Sequence, residues 1–76
     1  MPKKHEHRII QLGLNIAFYR KMKGLNQDEL ASIVGVSRTH ISKIEAPNII
    51  SSPSLELIFD IADALNVEPS KLFELR

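Results

Sequence analysis

One stretch, QDELASIVGVSRTHISKIE at residues 27–45, constrains the fold most, because it contains two short amphipathic helical patterns joined by three residues. Asn26 precedes the first pattern and Glu29 follows three residues later, which is the spacing of a capping box at a helix start. Gly35 follows the last apolar residue of that pattern, where glycine commonly ends a helix in a left-handed conformation. Ser37 is placed to cap the second pattern. The segment therefore predicts two short helices joined by a tight turn.

The second of these patterns has an apolar side and a polar side. At about 100° per residue, Ile41 and Ile44 point in one direction. A small helix usually needs a polar side only for solvation. Here the polar side coincides with two caps and a short turn, and its residues suit the base edges and phosphates of a DNA major groove. These outward residues are Arg38, Thr39, His40, Ser42 and Lys43.

The size and composition of the chain exclude several other classes. Its 76 residues are 43% hydrophobic and include no cysteine, which fits one small domain that folds without disulfides. Glu56, Asp60 and Asp63 recur at helical spacing as a solvated face, and no other constellation resembles an enzyme site. No apolar run approaches the roughly 20 residues of a membrane span, and no signal peptide is evident. We therefore expect a cytoplasmic protein that is not an enzyme.

The formal net charge is only +1, but the charges are distributed unevenly. Residues 1–43 contain eight Lys and Arg against three Asp and Glu, a net charge of +5. Residues 44–76 contain two bases and six acids, a net charge of −4. This division predicts a basic side that includes the second helix of the motif, and an acidic side that would not favour phosphates.

Three further helices are predicted outside the motif. Leu12, Ile16 and Tyr19 lie at helical spacing, and Gly24 supplies a stop. Pro47 cannot continue the second motif helix, so residues 46–52 are expected to form a loop. The absence of a strand pattern predicts an all-α, compact five-helix domain. The expected helices span residues 9–23, 27–34, 38–45, 53–65 and 69–75, within one domain over residues 9–76.

The two C-terminal helices are expected to complete the core. Ser52-Pro53 resembles a cap followed by proline in the first turn, which places the start of the fourth helix at Pro53. Asn66 is a candidate to end this helix. The fifth helix should contribute Leu72 together with Phe73 or Leu75. The residues of the fourth helix expected to be buried are Leu55, Ile58, Ile61, Ala62 and Leu65.

The N-terminal residues 1–8 read MPKKHEHR and are predicted to form a flexible basic arm, or else an extension of the first helix. Its lysines and arginine are suited to a weak contact with phosphates. His5 and His7 are reminiscent of a metal site, but the only other histidine is His40. The sequence therefore predicts no metal and no cofactor.

Taken in order and spacing, the residues from Leu12 to Leu72 resemble the Cro and phage-repressor type of helix-turn-helix transcriptional regulators, also called the XRE family. Any one matching fragment is weak evidence for this family, whereas the whole series, in this order and spacing, is specific to it. The matching fragments are Leu12-Gly13, Ile16, Arg20, GLNQDELA at 24–31, GVS at 35–37, Ile41, KIE at 43–45, PSLE at 53–56 and IADALNV at 61–67.

The resemblance implies a lambda-repressor-like fold in which the third helix enters the major groove and the second lies across the phosphate backbone. The resemblance implies that residues at the matching positions of this chain make the family's contacts with double-stranded DNA. For His40, a solvated flank position remains an equal alternative. The implied base contacts are Arg38, Thr39, Ser42 and Lys43, and the implied phosphate contacts are Asn26, Gln27, His40 and Asn48.

The same resemblance implies a structural ion pair between Arg20, near the end of the first helix, and Glu45, which closes the third. The loop that follows departs from the family pattern, because Ala46-Pro47 replaces the usual glycine. No Lys or Arg occurs between Ala46 and Ser54. Backbone amides or Asn48 and Ser51 would then have to supply the phosphate contacts of this loop.

Several apolar residues exceed what the core pattern requires. Ile49, Ile50, Leu57 and Phe59 form a candidate homodimer surface, with Ile33 also pointing outward. The alternative is that the loop isoleucines fold over the core and the rest are ordinary surface residues. A protein-binding adaptor or antitoxin with the same fold also remains open. No small-molecule effector and no membrane partner are predicted.

Overall fold

Five helices follow one another through residues 4–75, the part of the chain that the computed structural model describes. They are α1 (Glu6–Met22), α2 (Gln27–Val34), α3 (Arg38–Glu45), α4 (Leu55–Leu65) and α5 (Pro69–Leu72). No strand occurs in these residues, so the all-α, five-helix fold predicted from the sequence is confirmed. None of the helices combines the length and the apolar character needed to cross a lipid bilayer.

The bounds of α2 and α3 are those predicted, because local caps determine them. The Asn26 side chain accepts a hydrogen bond from the Glu29 amide at 2.8 Å, and the Glu29 carboxylate accepts one from the Asn26 amide at 2.8 Å. Gly35 ends α2 in the left-handed region with φ of 79°. The Ser37 hydroxyl then accepts from the His40 amide at 3.1 Å. The capping box, the turn and the second cap are therefore confirmed.

The core lies where the inner faces of all five helices meet. α2 packs against α3 and α4, α1 packs against α3, and α5 closes one end against α1 and α4. Every helix contributes at least one fully or nearly fully buried aliphatic residue. The buried apolar residues are Leu12, Ile16, Leu30, Ala31, Ile41, Ile44, Leu57, Ile58, Ile61, Ala62, Leu65 and Leu72.

The start of α4 differs from the prediction. Ser54, not Ser52, is the N-cap, and its hydroxyl accepts from the Leu57 amide at 3.1 Å. Pro53 therefore precedes the helix instead of opening it. Leu55 was predicted to be buried and is exposed, because it lies in the first turn at the edge of the inward arc. Leu57 lies at the other edge of that arc and is buried.

The two ends of the fold also differ in extent from the predictions. α1 begins at Glu6, so residues 6–8 form the extension of the first helix that was the stated alternative to a flexible arm, while residues 1–3 lie outside the described range. α5 ends at Leu72 instead of about Leu75. Leu72 is fully buried, but Phe73 and Leu75 are exposed, contrary to the expectation that one of them packs inward.

A polar contact explains the early end of α5. The Asn15 amide on α1 donates to the carbonyl oxygen of Leu72 at 3.0 Å and to that of Glu74 at 2.7 Å. These carbonyls therefore bond to a side chain instead of to helical amides. Gln11 donates to the Asn15 side-chain oxygen at 3.0 Å, which completes the hydrogen bonding of this buried group. The C-terminal end is thus tied to α1.

Candidate nucleic-acid interface

The outer face of α3 is supported by a buried inner face. Ile41 and Ile44 are buried against the other helices, as predicted. The predicted base-contact residues all belong to the opposite side of this helix, where Ser42 is half-buried and the others are exposed. The structure thus brings together on one exposed helix face the residues Arg38, Thr39, Ser42 and Lys43, with His40 on its flank.

Arg20 and Glu45 form the ion pair that joins α1 to the end of α3. Arg20 Nε donates to Glu45 Oε2 at 2.7 Å and Nη2 donates to Oε1 at 2.9 Å, and both residues are only 7% exposed. Arg20 Nη1 also donates to the Leu25 carbonyl oxygen at 2.7 Å. This bidentate geometry lets the two buried charges form hydrogen bonds with each other instead of with water. The pair fixes the end of the candidate recognition helix against α1 and the turn before α2.

Gln27, the first residue of α2, joins this network. Its Nε2 donates to Glu45 Oε1 at 3.0 Å, and its side chain is half-buried. A carboxamide nitrogen has two N–H donors, so one remains for a ligand. The family resemblance implied a phosphate contact for Gln27, but the sequence contained no signal for its contact with Glu45. The start of α2 and the end of α3 are therefore joined through the same carboxylate.

Asn26, the other predicted phosphate contact at this helix start, uses its side-chain oxygen as the N-cap of α2. The residue as a whole is exposed, and its side-chain nitrogen is a donor suited to a phosphate oxygen. The N-terminus of α2 also favours anions through its dipole and its free amides. Asn26 and Gln27 thus lie beside each other at a helix end that suits a phosphate.

Sequence reasoning missed an acidic residue at the same place. Asp28 Oδ1 lies 3.9 Å from Nε of Arg38, the first residue of α3. Both side chains line a shallow cleft together with Arg20, Asn26 and Gln27. The signal available in the sequence was the occurrence of opposite charges near the starts of two helices separated by a tight turn.

The loop before α4 bears the remaining candidates. Asn48, Ile49 and Ile50 are exposed, as is Phe59 on α4. Leu57 belongs to the core and is removed from the predicted dimer surface, because its side chain is buried within the monomer. We refer to Ile49, Ile50 and Phe59 below as the loop–α4 patch.

The described residues contain no group of three or more His, Asp or Glu side chains that is arranged to hold a metal ion. Within residues 4–75, His5 instead lies near Arg8, with its Nδ1 3.2 Å from Arg8 Nη1.

Comparison with known proteins identifies relatives of the whole domain. Residues 16–72 match the family model described as helix-turn-helix. The chain is 36% identical over 63 residues to the HTH-type transcriptional regulator SlrR of Bacillus subtilis strain 168. That alignment covers 83% of this chain and 41% of SlrR, so the chain spans less than half the length of this relative.

Two solved structures resemble the fold closely. The restriction-modification controller protein C.AhdI from Aeromonas hydrophila superposes with a TM-score of 0.84 and 31% identity, covering 92% of this chain and 99% of that one. The biofilm master regulator SinR, crystallised in complex with DNA, superposes with a TM-score of 0.75 and 33% identity. That superposition covers 83% of this chain and 98% of the SinR chain.

Proposed function

The chain belongs to the XRE-type helix-turn-helix family of DNA-binding transcriptional regulators, and on this premise we propose that it binds a specific duplex sequence as a homodimer. In this proposal α3 enters the major groove and α2 crosses the phosphate backbone. The family consists of regulators and not of enzymes. The proposed site of action is the cytoplasm, and the proposed result of binding is control of transcription.

The observation that carries this proposal is the two-sided construction of α3. Its inner residues are buried and its last residue is held by Arg20, while an unbroken polar and cationic face is left exposed. A rigidly supported helix is what base recognition requires, since hydrogen bonds to base edges depend on accurate placement. We assign base contacts to Arg38, Thr39, Ser42 and Lys43.

These residues have different recognition chemistry. The guanidinium of Arg38 can donate two hydrogen bonds to guanine O6 and N7, and Lys43 one turn further along can donate to the same acceptors. The Thr39 methyl group suits the methyl group of thymine, and the Ser42 hydroxyl can bond to either kind of base-edge group. The helix can therefore distinguish several base pairs in one half-site.

Phosphate contacts complete the proposed footprint. Asn26 and Gln27 lie at the anion-favouring start of α2, and the hydrogen bond to Glu45 supports Gln27 from behind. His40 on the flank of α3 and Asn48 in the following loop are assigned to phosphates on either side of the groove. Such contacts fix the orientation of the protein without reading sequence.

The loop–α4 patch is the proposed dimer surface. Its three residues are large, apolar and between about two-fifths and one-half exposed. A short recognition helix reads few base pairs, so a dimer that reads two half-sites about 34–36 Å apart gains specificity. The proposed operator is therefore a sequence with two related halves.

Selection of bound duplexes from a random DNA pool tests this function directly. We expect a symmetric or nearly symmetric sequence to be enriched at moderate salt. Enrichment of no sequence, together with binding to a protein partner, would instead favour the adaptor or antitoxin alternative. The enriched duplex also provides the specific probe for every binding experiment described below.

A further inference from the structure

Asp28 places a negative charge on the side of the molecule assigned to DNA. It lies in the first turn of α2, directly after Gln27, and its side chain is 73% exposed. Its nearest basic partner is Arg38, whose side chain is 64% exposed. A carboxylate at this place repels the phosphates of any duplex that approaches. Its presence therefore needs an explanation other than general affinity for DNA.

Stability does not supply that explanation. An exposed ion pair with a 3.9 Å separation contributes little to folding, because water screens the charges. An acid in the first turn of a helix is favourable, but Glu29 already occupies this turn and completes the capping box. The main effect of the contact between Asp28 and Arg38 should therefore be on which groups of the DNA Arg38 binds.

The geometry of the pair leaves the recognition end of Arg38 available. The Asp28 carboxylate lies nearest to Nε, the guanidinium nitrogen that is bonded to the aliphatic part of the Arg38 side chain. The two terminal NH₂ groups are the ones that form paired hydrogen bonds with guanine O6 and N7. An arginine without such a neighbour can turn instead toward phosphates, which are present in every sequence.

We propose that Asp28 is a specificity-determining positioning residue, which holds Arg38 toward the base edges and disfavours its use as a phosphate contact. This inference rests on the proposed DNA-binding function and adds a residue that does not itself donate to a base. The expected consequence of Asp28 is weaker binding to arbitrary DNA and a larger ratio of specific to nonspecific affinity.

The test measures the affinity of Asp28→Asn for the selected duplex and for a scrambled duplex of equal length and composition. Asp63→Asn, an exposed site on α4, is the matched control because it makes the same charge change. We expect the specificity ratio to fall about threefold to tenfold in Asp28→Asn. In Asp63→Asn the ratio should stay at the wild-type value. Circular dichroism melting establishes that both variants are folded.

A double-mutant cycle with Arg38→Ala separates positioning from general electrostatics. In the Arg38→Ala background, Asp28→Asn and Asp63→Asn should give equal specificity ratios, because the group that Asp28 positions is absent. An unchanged ratio in Asp28→Asn, or an equal loss with and without Arg38, would overturn the inference alone. A wild-type chain that prefers no duplex would instead overturn the proposed function, and with it this role for Asp28.

Discussion

Arg20 and Glu45 are the residues for which a single substitution should affect stability most through charge. Among the described residues, Arg20→Ala would leave a buried carboxylate with Gln27 as its remaining side-chain partner, and stranding such a charge costs on the order of 3–5 kcal/mol. Lys43→Ala removes an exposed side chain and should change stability by no more than about 0.5 kcal/mol. Thermal denaturation followed by circular dichroism should therefore show a much lower melting temperature for Arg20→Ala. Equal melting temperatures would contradict the structural role of the pair.

Removing a base contact and removing a phosphate contact should reduce DNA affinity in different ways: the first loss should depend on the DNA sequence, and the second should not. Arg38→Ala or Thr39→Ala should relax the preference at particular base pairs, by about 1–3 kcal/mol for a good paired contact. Gln27→Ala should instead weaken binding to all duplexes by a similar factor, because a phosphate is present at every site. Affinities for the selected duplex and its single-base variants make this comparison. Uniform losses for all three variants would refute the assignment of base contacts.

At the scale of the element, Gly13 sets how closely α1 approaches α3. A Cβ at this position would collide with the carbonyl oxygen of Ile44 and would lie 3.1 Å from its carbonyl carbon. In an open helix, replacing glycine by alanine stabilises by about 0.5–1 kcal/mol. Here the collision with backbone should reverse that sign.

We therefore expect Gly13→Ala to lower the free energy of unfolding by about 1–3 kcal/mol, because two helices must separate to admit the methyl group. Urea denaturation measures this change. Ser32→Ala, at an exposed position within α2, is the control and should leave stability unchanged or slightly raised. Stabilisation of the Gly13 variant would show that the two helices separate without cost.

The success of sequence reasoning varied from element to element for physical reasons. α2 and α3 were predicted to the residue, because Asn26, Glu29, Gly35 and Ser37 act on backbone groups within a few residues of themselves. The predicted start of α4 was wrong, because Ser52 and Ser54 are both capping residue types next to a proline and the local sequence pattern does not distinguish them.

The contacts that sequence reasoning missed all depend on how the helices pack against one another. Gly13 was noted in the sequence only within the Leu12-Gly13 family match, although its lack of a side chain is what lets α3 approach. Asn15 was not singled out in the sequence, yet its side chain binds carbonyls 57 and 59 positions away. The contact between Asp28 and Arg38 likewise depends on the angle between two helices. The family pattern supplied candidate site residues, but only packing shows which side chains support them.

At the scale of the whole molecule, the uneven distribution of charge along the sequence is consistent with the positions of the helices in the fold. The exposed acids of α4 belong to the acidic part of the sequence, whereas α3 up to Lys43 belongs to the basic part. A small domain with this division has one side suited to phosphates, which directs its approach to DNA. In the proposed dimer, two copies on one duplex would then meet most favourably through a surface of low positive charge. The loop–α4 patch satisfies that requirement, since residues 46–54 contain no Lys or Arg.

The dimer proposal predicts an effect that depends on the number of half-sites. Ile49 and Leu14 are 42% and 40% exposed, but Ile49 lies in the loop–α4 patch and Leu14 lies on α1. A carboxylate introduced at Ile49 would face its symmetry mate, so desolvation and repulsion should oppose association. Ile49→Asp should therefore reduce affinity for a duplex with two half-sites much more than affinity for a single half-site. Leu14→Asp makes the same charge change outside the patch and should affect both duplexes equally.

Sedimentation of the same two variants provides the independent measurement. Wild type and Leu14→Asp should sediment as dimers at tens of micromolar or on the two-half-site duplex, while Ile49→Asp should sediment as a monomer. Because Ile49 is in an exposed loop, this change should leave the melting temperature of the monomer fold nearly unchanged. A wild-type chain that remains monomeric both free and on DNA would reject the dimer, while leaving base recognition by α3 intact.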